Sequence, residues 1–361
     1  MAKADIISRV QALIEKRYLL KPQTPVLAMI SGGLDSVSLA YILHELHSRG
    51  AIGPLVLLHV NHKIRGVDAN ADAAFVDGFA RHLDVPLFNC EVDVPFLVKT
   101  YGGNLEAVAR RERYGAAYDA LKSCSEHFSC QAKDIAVCTA HTANDRIENF
   151  YMRSIVGTGP GGLQGISHTS DIYGLHVVRP LLEEPRAALQ AYVANRENAF
   201  VGSSKERWRH DVTNDDTNYF RAYIRKNIIP QAKEKNSQLE ATLTRTMNAI
   251  AEEDAMLKSM VEDLIGAYVQ PLGEDTYDGF LCRSDIKDQP QPLQKRIFYT
   301  LLKQMLGHEA RIEQASIDAC IEVMGVSGAV KNIQGNIALS YNKQGLRIEP
   351  MHALRARRKK E

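Results

Sequence analysis

Val26-Leu-Ala-Met-Ile30 runs directly into Ser31-Gly32-Gly33-Leu34-Asp35-Ser36. Five apolar residues in a row predict a short strand buried on both faces, as in a parallel sheet. After Ser36, apolar residues Val37, Leu39, Ala40, Ile42, Leu43 and Leu46 recur at helical spacing. The six residues between are therefore a turn from a buried strand into a helix N-terminus. Backbone N–H groups there lack helical partners and the helix dipole favours an anion. Gly32 and Gly33 let the backbone approach a phosphate closely, and the hydroxyls of Ser31 and Ser36 add donors. A carboxylate beside a phosphate site is out of place unless a divalent cation bridges the two, so Asp35 points to Mg²⁺.

The string S-G-G-x-D-S resembles the PP-loop signature of ATP-pyrophosphatases, and it lacks the G-K-[ST] of the Walker loop. That resemblance implies cleavage of ATP to AMP and pyrophosphate with adenylation of a substrate oxygen. It does not choose the substrate.

The rest of the chain sets bounds on that reading. With 361 residues it is long enough for two or three domains. Its formal charge of +1 means that any nucleic-acid contact rests on local patches. The N-terminal residues have no apolar signal core, and no stretch approaches ~18 uninterrupted apolar residues, so a cytoplasmic protein without membrane attachment is expected. Cys90, Cys124, Cys130, Cys138, Cys282 and Cys320 include no C-x-x-C pair, which argues for free thiols.

Strand and helix patterns alternate through the first half. Residues 4–17 form an amphipathic helix, then comes the loop-bearing strand, then Leu55–Val60, a helix over about 69–83, Leu87–Val92, a helix starting at the N-cap Asn104, and Ile135–Thr139. This predicts a doubly wound parallel α/β sheet whose ligands sit beyond the carboxyl ends of the strands. The segments Ser31–Ser36, His59–Arg65 and Thr139–Glu148 all lie at such ends. Gly157–Gly165 is a glycine-rich loop, either a cover for the cleft or plain connection. His176–Pro180 and residues 185–198 read as a further strand and helix, and 202–218 is polar and turn-rich. The expected organisation is a catalytic domain over 1–218, a linker helix over 219–231 ending near Pro230, and a mainly helical region over 232–361 closed by a hairpin from Ile333–Ser340 and Gly345–Glu349. The basic tail Arg355–Lys360 is either a disordered end or an RNA contact.

Several clusters carry chemistry. His141, Asp145 and Glu148 stand at i, i+4 and i+7, on one helix face that opens beside the anion loop. Such acids can hold Mg²⁺ or a cationic amine, and one can act as its base. His59, His62, Lys63 and Arg65 follow the second strand as donors to phosphate or RNA. Arg110 and Arg113 either pair with Glu106 and Glu112 at the surface or face the cleft and stabilise phosphate charge.

Beyond the loop, successive blocks resemble the tRNA(Ile)-lysidine synthetases. They are His59-Val-Asn-His-Lys-Ile-Arg-Gly66, Glu106–Tyr114, Thr139-Ala-His-Thr-Ala-Asn-Asp-Arg-Ile-Glu148, Gly157–Gly165, Arg179-Pro-Leu-Leu182 and Asp211–Arg225. The match runs in order over about 26–230. Asn144, Asn149 and Ala222 depart from that family's pattern, and since neither asparagine can act as an acid or base, the chemistry falls to Asp145. The resemblance implies ATP-dependent ligation of free L-lysine to C2 of cytidine 34 in the CAU anticodon of isoleucine tRNA, through an adenylated cytidine. It implies that Ser31, Gly32, Gly33, Leu34, Asp35 and Ser36 hold ATP, with Asp35 and Asp145 as Mg²⁺ ligands. Arg110, Arg113 and His141 would stabilise charge, Asp145 and Glu148 would bind and deprotonate lysine, and Arg65, Arg221 and Arg225 would contact RNA. The region from 232 would grip the tRNA body, and a homodimer is among the family's states. The rival readings are another PP-loop enzyme, such as a tRNA thiolase or an ammonia-using amide synthetase, and a non-catalytic nucleotide sensor.

Overall fold

Strand β1 (Val26–Met29) pairs in parallel with β2 (Leu55–Asn61) on one side and with β4 (Ala136–Cys138) on the other. The computed structural model describes residues 5–210, 219–307 and 310–359. The polar positions Asp211, Thr213, Asn214, Asp215 and Asn218 lie outside the described residues. Two compact units divide the chain, Met1–Ala251 and Glu252–Glu361.

In chain order the first unit holds α1 (Ile6–Lys16), β1, α2 (Leu34–Ser48), β2, α3 (Val67–Leu83), β3 (Leu87–Glu91), α4 (Val94–Tyr101), α5 (Leu105–Phe128), β4 and α6 (Ala143–Val156). A hairpin of β5 (Thr169–Ile172) and β6 (Leu175–Val178) follows, then α7 (Arg186–Ala194), α8 (Phe220–Tyr223), α9 (Ile229–Lys235) and α10 (Leu239–Tyr268), within which the first unit ends. The sheet order is β3-β2-β1-β4-β6-β5. All neighbours are parallel except β5, which closes the edge antiparallel to β6. The parallel α/β architecture is therefore as the alternation foretold. Its antiparallel edge was not legible, because β5 (Thr-Ser-Asp-Ile) has no apolar run.

Period-2 alternation sorts the core onto two faces. Val26 and Ala28 face a cluster with residues of α1, α2, α3 and α7, whereas Leu27 faces Tyr114, Ala117, Leu121 and Cys124 of α5. Strand order reverses between β1 and β4, which makes the crevice beyond their carboxyl ends the ligand position of this topology. The residues after β1 are the anion loop, and those after β4 open α6.

The stretch read as a linker, 219–231, lies within the first unit. Ile224 and Ile229 are buried against Ile147 of α6 and Met247 of α10. Between α8 and α9 the backbone makes a π-helical turn over Ile224–Ile228. Pro230, at the start of α9, withdraws the N–H that would have bonded the carbonyl of Lys226, and the preceding turn widens.

The second unit is built on a five-stranded antiparallel sheet, ordered β7-β8-β11-β10-β9. Its strands are β7 (Val269–Pro271), β8 (Phe280–Cys282), β9 (Val330–Ile333), β10 (Ile337–Asn342) and β11 (Gly345–Pro350). Helices α11 (Gln291–Leu306) and α12 (Gln314–Val323) supply Leu293, Ile297, Leu301, Ile317 and Cys320 to its core. The expected closing hairpin is β10–β11, here extended by three further strands. The basic tail is helical through α13 (Met351–Arg358), where Arg357 bonds the buried Glu349 at 2.8 Å. Among the described residues no helix is long and apolar enough to cross a membrane.

Candidate active site

The Ser31–Ser36 loop is held by its own hydroxyls. Ser36 Oγ donates to the Gly33 carbonyl (2.9 Å), accepts from the Ser31 amide (3.2 Å) and lies 3.1 Å from Ser31 Oγ. Gly33 caps α2 without a side-chain bond, so the first amides of that helix remain for a ligand. Gly32 sits at φ +86°, where a Cβ would press within 3.3 Å of Arg209 Cγ and 3.4 Å of Val76. Both the backbone conformation and the close approach require glycine there.

Asp35, in the first turn of α2, has a buried Oδ1 without a hydrogen bond. Arg186 Nε stands 3.4 Å from it, an ion-pair contact outside hydrogen-bond geometry. Burial pushes the Asp35 carboxyl up to about 6, Arg186 and Arg225 pull against that shift, and the charges of Asp145 and Glu148 reinforce it. Three carboxylates thus converge on the mouth of the loop.

Thr142 is the N-cap of α6, and Asp145 completes a capping box, accepting from the Thr142 amide and hydroxyl at 2.8 Å each. Its other oxygen accepts from Arg221 Nη2 at 2.6 Å. Burial raises the Asp145 carboxyl, yet Arg221, His141 and the two Thr142 bonds outweigh it and hold the group below its ordinary value. Its position at N3 of α6 commits one oxygen to the cap, and the other is paired with Arg221.

Glu148 is only 2% exposed and holds two guanidiniums. It accepts from Arg221 Nε at 2.6 Å, from Arg225 Nε at 2.6 Å and from Arg225 Nη2 at 3.1 Å. Arg221 and Arg225 were read as RNA contacts, and the structure gives both an intramolecular acidic partner. In sequence they are merely four apart on a helix, and nothing local says that this face meets α6.

His141 Nδ1 lies 3.0 Å from Thr139 Oγ1. Burial, chiefly, keeps its imidazole below the ordinary range, so near neutral pH it acts as an uncharged hydrogen-bonding group. Arg110 is exposed and lies over the Tyr114 ring at 5.2 Å. Arg113 instead lies close to His62, whose ring is pushed down to about 4 by burial, Arg113 and His59. His59 Nδ1 sits 2.8 Å from the Ile30 carbonyl, just before the loop. The glycine-rich segment is fastened to α6, with Arg146 Nε donating to the Gln164 carbonyl at 3.1 Å.

Arg65 bonds Asp72 Oδ2 at 2.6 Å. The other Asp72 oxygen accepts from Arg209 Nε at 2.7 Å, and the Arg209 amide donates to the Gly32 carbonyl at 2.8 Å. One buried carboxylate on α3 thereby ties the segment after β2 to the strand-like contact that supports the anion loop. Removing it by Asp72→Ala takes one acidic partner from each of two guanidiniums and is expected to lower stability by about 1.5–3 kcal/mol, read from urea unfolding. A loss under about 1 kcal/mol would contradict this role.

Sequence reasoning missed Arg186, Asn144, Asp72 and Arg209. Asn144 replaces an acid in the resembled pattern, and its Oδ1 accepts from the Arg186 amide (2.9 Å), which caps α7. Arg186 carried a usable signal, since a cation in the first turn of a helix opposes the dipole unless an anion faces it.

A family model described as the PP-loop domain matches residues 2–232. The tRNA(Ile)-lysidine synthase of Geobacter sulfurreducens is 29% identical over 87% of this chain and 62% of its own. That of Porphyromonas gingivalis is 32% identical over 72% of this chain and 52% of its own. That of Caldanaerobacter subterraneus is 27% identical over 99% of this chain and 70% of its own. The chain spans about half to seven-tenths of the length of these curated relatives. Since the family model runs through well over half of the chain and includes both the anion loop and the switch-point cleft, the chain belongs to the PP-loop domain family.

Proposed function

We propose that the chain catalyses ATP-dependent ligation of lysine to C2 of cytidine 34 in the CAU anticodon of isoleucine tRNA. The observation that carries this reading is the convergence of Asp35, Asp145 and Glu148 at the mouth of the Ser31–Ser36 loop, with His141 beside Asp145. The names of the three relatives and the ordered blocks in the sequence support it. The cytidine C2 oxygen attacks the α-phosphorus of ATP and pyrophosphate leaves. The side-chain amine of lysine then attacks C2 and expels AMP.

In this reading the loop amides and the Ser31 and Ser36 hydroxyls cradle phosphate. Arg110 lowers the cost of charge developing on the transferred group, and His141 contributes a hydrogen bond rather than a charge. The buried Oδ1 of Asp35, which accepts no hydrogen bond, fits a Mg²⁺ ion held by one carboxylate and the nucleotide phosphates. When bound, that ion would neutralise phosphate charge. Asp145 and Glu148 form the anionic seat, and the lysine ammonium exchanges there with a guanidinium of Arg221 or Arg225. The cytoplasm is the expected setting, and the Glu252–Glu361 unit is assigned to the tRNA body. A single unpaired base can be splayed into such a cleft.

The test is a pulse of ATP labelled at the α-phosphate with unfractionated tRNA and no lysine. Label transferred to an isoleucine tRNA, with equal pyrophosphate release, is the expected outcome. Pyrophosphate release without label on RNA would contradict the reading.

A further inference from the structure

The α8 helix and the turn after it are inside out. Arg221 and Arg225 face inward onto Glu148, and Ala222 and Ile224 are buried. The rings of Tyr219, Phe220 and Tyr223 stand outward instead, 64%, 39% and 48% exposed. Three large rings at i, i+1 and i+4 form an aromatic face where an ordinary surface helix would place charge. The inward arginines explain half of this pattern, because the α6 acids fix which side of the helix faces in. They do not explain why the outer side is aromatic.

We propose that Tyr219, Phe220 and Tyr223 form a stacking platform for unpaired nucleobases of an RNA. Three observations single out that occupant. The exposed groups are rings with flat π-faces, two of them tyrosines with a polar edge, and bases stack on such rings with little regard to sequence. The same stretch, 219–235, carries Arg221, Arg225, Lys226, Lys233 and Lys235 against one acid, Glu234, in a chain whose formal charge is only +1. Arg221, Arg225 and Lys233 pair with Asp145, Glu148 and Glu240 in the fold, yet these cations stay partly exposed and suit a phosphate backbone better than an apolar partner. Finally, Arg221 and Arg225 keep 39% and 32% of their side-chain surface exposed while bonded to the cleft acids, so the platform and the cleft share one edge. A base stacked on Tyr219 or Tyr223 flanks whichever nucleotide enters the site. The proposal deepens the tRNA reading above and rests on it for the identity of the RNA, though not for the stacking itself.

The experiment measures binding of a fluorescein-labelled anticodon stem–loop with unpaired C, A and U, beside a blunt duplex of the same stem. The proteins are the full chain, Tyr219→Ala with Tyr223→Ala, and the matching Tyr→Phe pair. Both changed side chains are at the surface, and matching thermal midpoints verify that the variants fold. The alanine pair should bind the stem–loop about 5- to 150-fold more weakly for each lost stacking contact. The phenylalanine pair should stay within about twofold, because the ring remains. The slope of log K against log salt should be the same for all three, since no phosphate contact is removed. Duplex binding should not change. Unchanged stem–loop affinity in the alanine pair overturns the platform, as does an equal loss on the duplex, or an alanine-pair effect confined to self-association. If the wild-type chain binds the stem–loop through these rings yet forms no lysidine, the proposed reaction fails and the platform stands. If it forms lysidine and the alanine pair binds normally, the platform fails alone.

Discussion

Asp35→Asn is expected to reduce pyrophosphate release from ATP in the presence of tRNA by on the order of 10²-fold or more, the usual cost of losing a main electrostatic stabiliser. The same substitution should make the protein more stable at neutral pH. The sign follows from the direction of the shift. Burial pushes the Asp35 carboxyl from 3.8 up to about 6, so between those values the folded chain holds a proton that the unfolded chain has released. Stability contributed by this group is complete below about pH 3.8, falls as pH rises, and is gone above about 6. An asparagine cannot ionise and removes that loss. The thermal midpoint of Asp35→Asn should therefore exceed wild type at pH 8 and approach it at pH 4. Saturating Mg²⁺ and ATP should narrow the pH 8 difference by stabilising the wild type alone. A midpoint difference independent of pH would contradict the assignment of Asp35 as a buried, under-compensated anion. Pyrophosphate release within twofold of wild type would contradict its place in the phosphate site.

Glu148→Gln is expected to act twice. A buried carboxylate that accepts from both Arg221 and Arg225 is replaced by an amide whose NH₂ faces a guanidinium. Breaking a buried ion pair from one side costs about 3–5 kcal/mol, and unfolding in urea should register a loss of that order. The second effect concerns lysine. If the ammonium exchanges with a guanidinium at Glu148, removing the charge should raise the lysine concentration needed to discharge adenylated tRNA by about 30-fold or more, the usual cost of truncating one partner of a buried charge pair. Formation of the adenylated tRNA should be affected much less, because that step does not use the seat. Discharge with the wild-type dependence on lysine would leave Glu148 a purely structural residue.

How much of this was readable in the chain depends on how local the determinant is. The turn at Ser31–Ser36 declared itself because strand, loop and helix signals are contiguous. Its place beyond the carboxyl end of a parallel strand followed from strand–helix alternation, whereas the switch point between β1 and β4 needed the strand order of the structure. Asp145 and Glu148 share one face of α6, as their spacing reads, whereas His141 stands just before the Thr142 N-cap and outside the helix, so the i, i+4, i+7 reading holds for two of the three. What spacing could not say is that Asp145 sits at N3 behind a threonine cap and is thereby fixed. The T-x-x-D pattern from Thr142 to Asp145 was in view and reads as a capping box once the helix start is known.

Non-local pairings were out of reach. Arg221 and Glu148 are 73 positions apart, and Arg209 and Asp72 are 137 apart. Each pair is decided by which helix faces pack, a tertiary fact with no signature in either segment. The same holds for the five-stranded sheet of the second unit, where β7 and β8 are three residues each and too short for alternation to show. The widened turn at Ile224–Ile228 had a local cause in Pro230, but the proline reads in sequence as a helix end rather than as an opened turn.

In the proposed reaction one cleft activates a tRNA base with ATP and then joins lysine to it. Its most direct measurement is incubation of the protein with ATP, labelled lysine and unfractionated tRNA, followed by digestion of the RNA to nucleosides. The expected result is label in a single modified cytidine, dependent on ATP and Mg²⁺, with one AMP and one pyrophosphate formed per lysine incorporated. Label that stays wholly with free lysine, while ATP is still split to AMP and pyrophosphate, would contradict it.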